Sequence, residues 1–352
     1  MRILAAMSGG VDSTTAAWLL KRQGHEVIGA TLILRPRDTM AAASLSRAER
    51  AAHLIGVALH VLDAAGEFER EVVQPFGAEY LRGRTPNPCV WCNPRIKFRL
   101  LSCLAAELGA ERIATGHYAR LQRDASGRWV LWRALDRQKD QSYFLFALGQ
   151  EQLAMAVFPL GEMTKAQVRE IAAAYGFPLQ DYAESQDFCF VGEQHYGEFL
   201  REHFPEECQP GPIVDTEGRV LGKHGGIHLF TVGQRRGLRL AAKHPLYVLR
   251  LVPETHTVVV GPWVATFASA CVVRDLNWVA VEAPTTALVA EVQIRAAHPA
   301  APATISPVAG CSPAEAVRVE FAIAQHAVTP GQAAVFYRGD LLLGGGTIDS
   351  VE

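Results

Sequence analysis

Hydrophobic and polar positions in the first half of the chain alternate between two periods. Short apolar runs at 2–7 (RILAAM), 25–34 (HEVIGATLIL), 58–63 (ALHVLD) and 111–116 (ERIATG) have the length of buried strands. Between them lie stretches of helix formers at 13–24, stopped by Gly24, and at 44–56, 67–83 and 96–109. Strands alternating with helices of this length predict a parallel sheet with helices on both faces. One more helix is predicted over 163–176, with Thr164 as its N-cap and Gly176 as its stop.

Beyond residue 210 the texture changes to Gly, Pro and short β-branched runs. Segments 211–222 and 246–261 read as hairpins, and 287–295, 315–322 and 331–346 as short alternating strands punctuated by turns. That is the pattern of a small β-barrel or sandwich. Segments 282–287 and 296–307, the latter rich in Ala and Pro, read as loops, and no internal repeat is present. The chain is therefore expected to be α/β, with a parallel-sheet nucleotide-binding domain over 1–194. A small β-rich central domain would follow over 195–262, and a C-terminal β-barrel over 263–352.

Composition narrows the class without naming a chemistry. At 352 residues the chain is too long for one ordinary core. Hydrophobic content of 49% with 20% charged residues is usual for a soluble globular protein. No apolar run approaches the roughly 20 residues that span a bilayer. The N-terminal run is also shorter than the roughly 7–15 apolar residues of a signal peptide. No membrane association and a cytoplasmic location are expected. Seven dispersed cysteines, an odd number, argue against a disulfide framework and for reduced thiols. A net charge of −2 gives no global pull towards nucleic acid, so RNA would be held by local patches such as Arg235–Arg236.

Two stretches carry candidate chemistry. In AAMSGGVDST, Ala5 to Thr14, two glycines follow the first strand and precede the first helix. Such a turn brings backbone N–H groups, the Ser8 and Ser13 hydroxyls and a helix N-terminus to one anion. It lacks the Lys-Ser/Thr ending of a Walker loop, and the chain has no GxGxxG. The plainer reading is a Gly-rich turn with Asp12 as N-cap. In TPNPCVWCNPRIKF, Thr85 to Phe98, Cys89 and Cys92 lie three apart in a Pro-rich loop and precede Arg95, Lys97 and Arg99. Such a pair is half a metal site, a redox pair or a reactive thiol with a neighbour. Cys189, between Phe188 and Phe190, reads by itself as a buried core residue.

The string Ser8 to Ser13, in its strand–loop–helix context, resembles the pyrophosphate loop of the N-type ATP pyrophosphatases. Their shared chemistry cleaves ATP to AMP and pyrophosphate and adenylates an oxygen so that it can leave. Five further stretches occur in order: GRTPNPCVWCNPRIKF, IATGHYAR, KDQSYFLFAL with FPLGEMTKAQVREIA, SQDFCFVG and GQRRGL. With VTPGQAAVFY they make the chain similar to the bacterial tRNA-specific 2-thiouridylases, from residue 2 to residue 349.

That resemblance implies an adenine nucleotide alpha hydrolase-like first domain and ATP-dependent 2-thiolation of the wobble uridine of tRNA. By the same resemblance ATP is held by Ala6, Met7, Ser8, Gly9, Gly10, Val11, Asp12, Ser13, Leu32 and Gly116, with Asp12 holding Mg²⁺ on the pyrophosphate. Asn87, Pro88 and Cys89 would face a flipped target base, because C2 cannot be reached inside a stack. His117, Lys139, Asp140, Gln141, Arg295 and Gln332 would contact the tRNA. The C2 oxygen is a poor leaving group until adenylated, and a cysteine-borne sulfur is a strong nucleophile. Cys189 would carry a persulfide received from a sulfur-donor protein, a cysteine desulfurase or a relay. Cys92 would be the partner thiol that forms a disulfide with Cys189 and frees 2-thiouridine.

The sequence departs from the family pattern at three places. Segment 35–50 is short and neutral to basic where many members carry an acidic insertion, and Arg295 precedes Ala296 where an Arg-Tyr contact is usual. Cys89 stands where the best-known members have Asp. That substitution opens an alternative in which Cys89, Cys92 and Cys189 hold a [4Fe–4S] cluster that carries the sulfur. A further alternative is a ligase of the same superfamily acting on a small molecule, although no glutaminase or amino-acid site is visible.

Overall fold

The apolar runs of the first half pair as one parallel sheet in the computed structural model, which describes residues 1–36, 39–177, 188–191 and 196–352. Its strands are β1 (Arg2–Ala6), β2 (Glu26–Ile33), β3 (Leu59–Asp63), β4 (Arg112–Ala114) and β7 (Ala156–Val157), in the order β3-β2-β1-β4-β7. The four predicted strands are present. β7 has only two residues, too few to leave a period in the sequence. α1 (Val11–Arg22) and α2 (Thr39–Ile55) connect β1, β2 and β3 in turn. Ile3, Ala5 and Met7 alternate onto one face of the sheet, where Ala17 and Leu20 of α1 and Ala51, Ala52 and Ile55 of α2 pack against them.

The helix Lys165–Ala174 starts as its sequence predicts. Thr164 Oγ1 accepts from Gln167 N at 3.3 Å, and Gln167 Oε1 accepts from Thr164 N at 2.8 Å, a reciprocal capping box. Gly176 follows at φ +69°, a conformation that suits glycine.

Prolines account for two differences from expectation. The predicted helix over 67–83 is three pieces, Ala65–Phe68, a π turn Glu69–Val73 and Gln74–Leu81. Pro75 has no N–H for the regular ladder, and the chain widens just ahead of it. Pro94 likewise sits inside a π turn, Asn93–Phe98, before the helix Arg99–Glu107. The Cys89–Cys92 segment, read from sequence as a loop, is instead a helical turn, Pro88–Cys92. Pro88 fits there because a first helical residue needs no N–H partner.

One hairpin was not foreseen. β5 (Ala119–Arg123) and β6 (Trp129–Arg133) pair antiparallel across a turn in which Asp124 Oδ1 accepts from Ser126 N and Arg128 N, both at 2.9 Å. Leu341 pairs with Trp132, and Arg133 N donates to Asp340 O at 2.9 Å. Residues Arg338–Gly344 accordingly belong to the same compact unit as Met1–Val72 and Cys89–Gln186.

The other unit comprises Val73–Pro88, Asp187–Tyr337 and Gly345–Glu352. It contains both predicted hairpins, β8 (Gly211–Val214) with β9 (Val220–His224) and β10 (Tyr247–Val252) with β11 (Thr257–Gly261). They form one four-stranded sheet, β10-β11-β8-β9. The last strands are β12 (Phe267–Trp278), β13 (Leu288–Gln293), β14 (Ala301–Pro307), β15 (Ala316–His326), β16 (Ala333–Arg338) and β17 (Leu341–Val351). They run in the order β12-β15-β14-β13-β16-β17, and a β12–β17 pairing closes a six-stranded barrel. Val273, Val292, Ile305, Val317, Val319 and Val335 fill it, each fully buried.

β14 corrects the reading of 296–307 as a loop. Its prolines are the second and the last residues of the strand, and the β15 ladder begins only at Ala303. Among the described residues no helix is long and apolar enough to cross a membrane. The expected boundary at 194/195 lies outside the described residues, as do Ser185 to Asp187 and Gly192 of the Cys189 motif.

Candidate functional site

The strand order reverses between β1 and β4, and their C-terminal ends define the switch point where open α/β sheets bind ligands. The loop after β1 is wound on its own hydroxyls. Ser13 Oγ donates to Gly10 O at 3.1 Å and accepts from Ser8 N at 3.2 Å, and the Ser8 and Ser13 hydroxyls are 3.2 Å apart. Gly9 has φ +76°, and a Cβ there would lie 2.5 Å from the backbone carbonyl carbon of Arg47. Glycine is required on both counts. The N-cap of α1 is Gly10, not Asp12, so the carboxylate is released from the plain capping role.

After β4 the chain runs back across this loop. A Cβ on Gly116 would lie 2.8 Å from Ser13 N and 2.9 Å from Asp12 C, so Gly116 lets β4 approach the first turn of α1. Leu32, partly buried in β2, pairs with Leu62. Asp12 Oδ1 and Oδ2 each accept from Lys165 Nζ at 2.7 Å, and Oδ1 also accepts from Tyr118 Oη at 2.8 Å. Burial and the Asp12 charge raise the Tyr118 phenol well above its ordinary value, so it stays a donor. Thr115 Oγ1 lies 2.7 Å from His117 Nδ1. Burial, with the Lys97 ammonium adding to it, pushes His117 down to about 3, and the ring is neutral at neutral pH.

Cys89 and Cys92 lie on one face of the Pro88–Cys92 turn, three residues apart. Cys92 is buried and Cys89 half-buried. The π turn behind them is anchored by Asn93 Nδ2, which donates to Phe144 O at 2.8 Å. The basic residues that follow divide their work. Arg95 lies over the Trp91 ring at 5.8 Å, the Lys97 charge acts on His117, and Arg99 pairs with Glu67 at 3.1 Å.

In the second unit Cys189 is exposed on a turn closed by Val191 N donating to Phe188 O at 3.0 Å. Its neighbours Phe188 and Phe190 pack edge-on against Phe76, with centroids at 5.0 and 5.1 Å. The aromatic rings are the buried part and the thiol faces outward, the reverse of a core cysteine. Phe76 is 0% exposed, and Phe76→Ala is expected to cost about 3–5 kcal/mol, read as a lower unfolding midpoint in denaturant melts.

Asn87 and Pro88 follow a segment tied to the turn before β16. Thr85 N donates to Pro330 O and Gln332 Nε2 to Thr85 O, both at 2.9 Å, while Gly331 at φ +91° has room for no Cβ against Thr85. Gln332 therefore braces the TPNPC segment. Asp140 takes Ala134 N at 2.8 Å, Ser142 Oγ at 2.8 Å and Arg133, with its side chain 6% exposed. Gln141 Oε1 accepts from Tyr118 N at 3.0 Å, and Lys139 sits in a partly exposed turn. Asp140 and Gln141 thus shape the turn that presents Lys139. Arg295 Nη2 donates to His326 O at 3.3 Å, and His326 stacks on Trp263 at 3.9 Å.

Sequence reasoning missed Tyr118, Lys165 and Phe76, none of which has a local signature for its contacts. Among the described residues no three or more His, Cys, Asp or Glu side chains are grouped as a metal site.

Residues 1–193 match the family model of a tRNA methyl transferase HUP domain, and 197–262 that of a tRNA methyl transferase PRC-barrel domain. Residues 268–348 match an aminomethyltransferase beta-barrel domain. A tRNA-specific 2-thiouridylase MnmA of Moorella thermoacetica is 48% identical to the chain, over 99% of both sequences. The protein of the same name from Heliobacterium modesticaldum is 47% identical over 98% of this chain and 92% of its own. That from Chloroflexus aggregans is 47% identical over 98% of each.

Proposed function

Because the chain belongs to the tRNA-specific 2-thiouridylase family, we propose that it carries out ATP-dependent 2-thiolation of the wobble uridine of tRNA, with sulfur delivered as a persulfide on Cys189. In the first step the uracil C2 oxygen attacks the α-phosphorus of ATP, the bond to the β-phosphate oxygen breaks, and pyrophosphate leaves. Ser8 to Ser13 hold the phosphates by backbone N–H groups and hydroxyls, with Leu32 and Gly116 beside the nucleotide. Asp12 offers acceptor-only oxygens of the kind that hard Mg²⁺ takes.

In the second step the terminal sulfur of the Cys189 persulfide attacks C2 and expels AMP. The Cys92 thiolate then attacks the Cys189 sulfur, forming a disulfide and releasing the thiocarbonyl. Two external thiol groups reduce that disulfide and become a disulfide themselves before the next cycle. The observation that carries this reading is the exposed Cys189 thiol between two anchored phenylalanine rings. A thiol that must receive sulfur from a donor protein has to be reachable.

Asn87, Pro88 and Cys89 would face the flipped base. His117, Lys139, Arg295 and Gln332 are the nearest candidates for tRNA contact, with Asp140 and Gln141 acting through the turn they hold. A sulfur-donor protein, a cytoplasmic location and domains at 1–194, 195–262 and 263–352 complete the proposal; the three matched segments support that division.

The test is nucleoside analysis of tRNA from a deletion strain carrying this chain on a plasmid, with pyrophosphate release from ATP measured alongside. Restored 2-thiouridine and tRNA-dependent pyrophosphate release are expected. Pyrophosphate release that ignores tRNA and needs a small molecule would turn the assignment to a ligase.

A further inference from the structure

Few aromatic rings of this chain reach its surface. Among the described residues the exposed ones are Tyr175, Trp263 and Phe267, and the last two are neighbours, with ring centroids 5.3 Å apart. Trp263 keeps 44% of its surface exposed although it meets two further rings. Tyr247 lies edge-on at 5.3 Å, and His326 stacks at 3.9 Å with the two planes 25° apart.

The ring cluster is held in place by its backbone. Trp263 opens the short 3₁₀ turn Trp263–Thr266 between β11 and β12, and Pro262 fixes the entry to it at φ −69°. Thr266, itself buried, donates from Oγ1 to Trp263 O at 2.6 Å. Ala327 N donates to Thr266 O at 2.9 Å, which ties the turn to the residue after β15. His326 is held by packing, since its Nε2 is buried without a hydrogen-bond partner among the described residues. A ring that is exposed and already ordered gives up little rotamer freedom when it binds.

The charges beside the rings are of one sign. Arg295 Nη2 donates to His326 O at 3.3 Å, and Arg295 and His298 both act on the His326 ring. The GQRRGL turn reaches the same place. A Cβ on Gly233 would lie 2.3 Å from Ala327 Cβ and 3.4 Å from His326 Cε1, and its φ of +86° suits glycine. Residues 231–249 contain Arg235, Arg236, Arg239 and Lys243, all exposed, and no acidic residue. Exposed rings flanked by cations fit single-stranded RNA, which presents base faces and phosphates together. An apolar protein surface would match the rings but offer the cations nothing.

We infer that Trp263 and Phe267 form a stacking platform for an unpaired base of the bound tRNA, with Arg295 and the GQRRGL turn taking the neighbouring phosphates. The inference rests on the tRNA reading above and deepens it, adding two aromatic residues to the contacts which that reading names. Every base has a π face, so the platform holds the RNA without selecting its sequence.

The experiment is fluorescence polarisation of an end-labelled, unmodified tRNA transcript with a wobble uridine, titrated with the full chain between about 50 and 200 mM salt. Trp263→Ala is expected to weaken binding by about 5- to 100-fold, the range for one stacked base, and Phe267→Ala by a smaller factor. Trp263→Phe keeps a ring and should stay within about threefold of the parent. Two readouts separate stacking from a structural role. The slope of log affinity against log salt should be unchanged in Trp263→Ala, whereas Arg295→Met should reduce it by about one. Saturating tRNA should also quench the tryptophan emission of the parent more than that of Trp263→Phe, because the base lies on that indole.

If Trp263→Ala binds tRNA within about twofold of the parent, the inference is overturned. Loss of sulfur transfer from a donor protein, or of self-association in sedimentation, with tRNA affinity intact would overturn it too, because the rings would then face a protein. Should Trp263→Ala unfold in circular dichroism, Trp263→Leu carries the same expectations. A parent protein that binds no tRNA would instead sink the tRNA reading itself, and the inference with it.

Discussion

Cys189→Ser protein is expected to bind ATP and tRNA as the parent does, to release pyrophosphate, and to form no 2-thiouridine. The substitution replaces one sulfur atom by oxygen on a turn whose folding depends on Phe188 and Phe190 packing against Phe76. Because the thiol itself is exposed, little packing is lost. A serine hydroxyl cannot carry a persulfide, so turnover should fall by at least about 10³-fold, as for loss of a covalent nucleophile. Cys92→Ser should behave differently. It should halt after the sulfur has bonded to the tRNA, leaving a protein–tRNA adduct that a reducing agent releases. Cys89→Ala sharpens the contrast, because the persulfide route gives Cys89 no sulfur to carry. It should keep most of its activity without iron, and loss of activity together with loss of bound iron and acid-labile sulfide would favour the cluster mechanism instead.

Gly116→Ala is expected to lose ATP binding by about 10-fold or more, with a stability loss of about 1–3 kcal/mol, the usual cost of overpacking. The added methyl would lie 2.8 Å from Ser13 N and 2.9 Å from Asp12 C. Both are backbone atoms in the first turn of α1, and neither can turn aside as a flexible side chain could. The end of β4 or the turn holding Ser8 to Ser13 has to shift, and a displaced loop misaims several N–H donors at once. Gly66→Ala is the control. Its new Cβ would meet nothing within 4 Å, so melting and ATP affinity should match the parent. Calorimetry with ATP and thermal unfolding read both variants. Equal ATP affinity for Gly116→Ala and the parent would remove β4 from the nucleotide site.

The parts of this architecture that were legible in the sequence are those written in consecutive residues. Strand–helix alternation gave four of the five strands of the parallel sheet. Thr164 and Gly176 marked a helix, and SGGVDS lay between strand and helix where the structure has it. Local chemistry misled where proline sets geometry in two ways. Pro88 reads as a loop former but starts the helical turn under Cys89 and Cys92, and Pro302 and Pro307 hid a strand because both stand near its ends. Long-range pairs left no trace. Tyr118 is 106 residues from Asp12 and Lys165 is 153, so neither spacing nor period announces that they share one carboxylate. The two aromatic neighbours of Cys189 suggested burial, since a sequence does not say which of three adjacent residues faces out.

One consequence of the fold concerns the order in which the protein is made. β6 pairs with Leu341, a residue in the last hairpin of the chain. A nascent chain therefore exposes that edge of β6 while residues 134–340 are still being synthesised. At about 5–20 residues per second this wait is roughly ten to forty seconds. An unpaired edge strand is a template for the wrong partner, and for that interval it depends on chaperones or on chance. A messenger truncated near its end would lengthen the wait indefinitely, so the cell has reason to clear such fragments even when every residue of the phosphate loop is present.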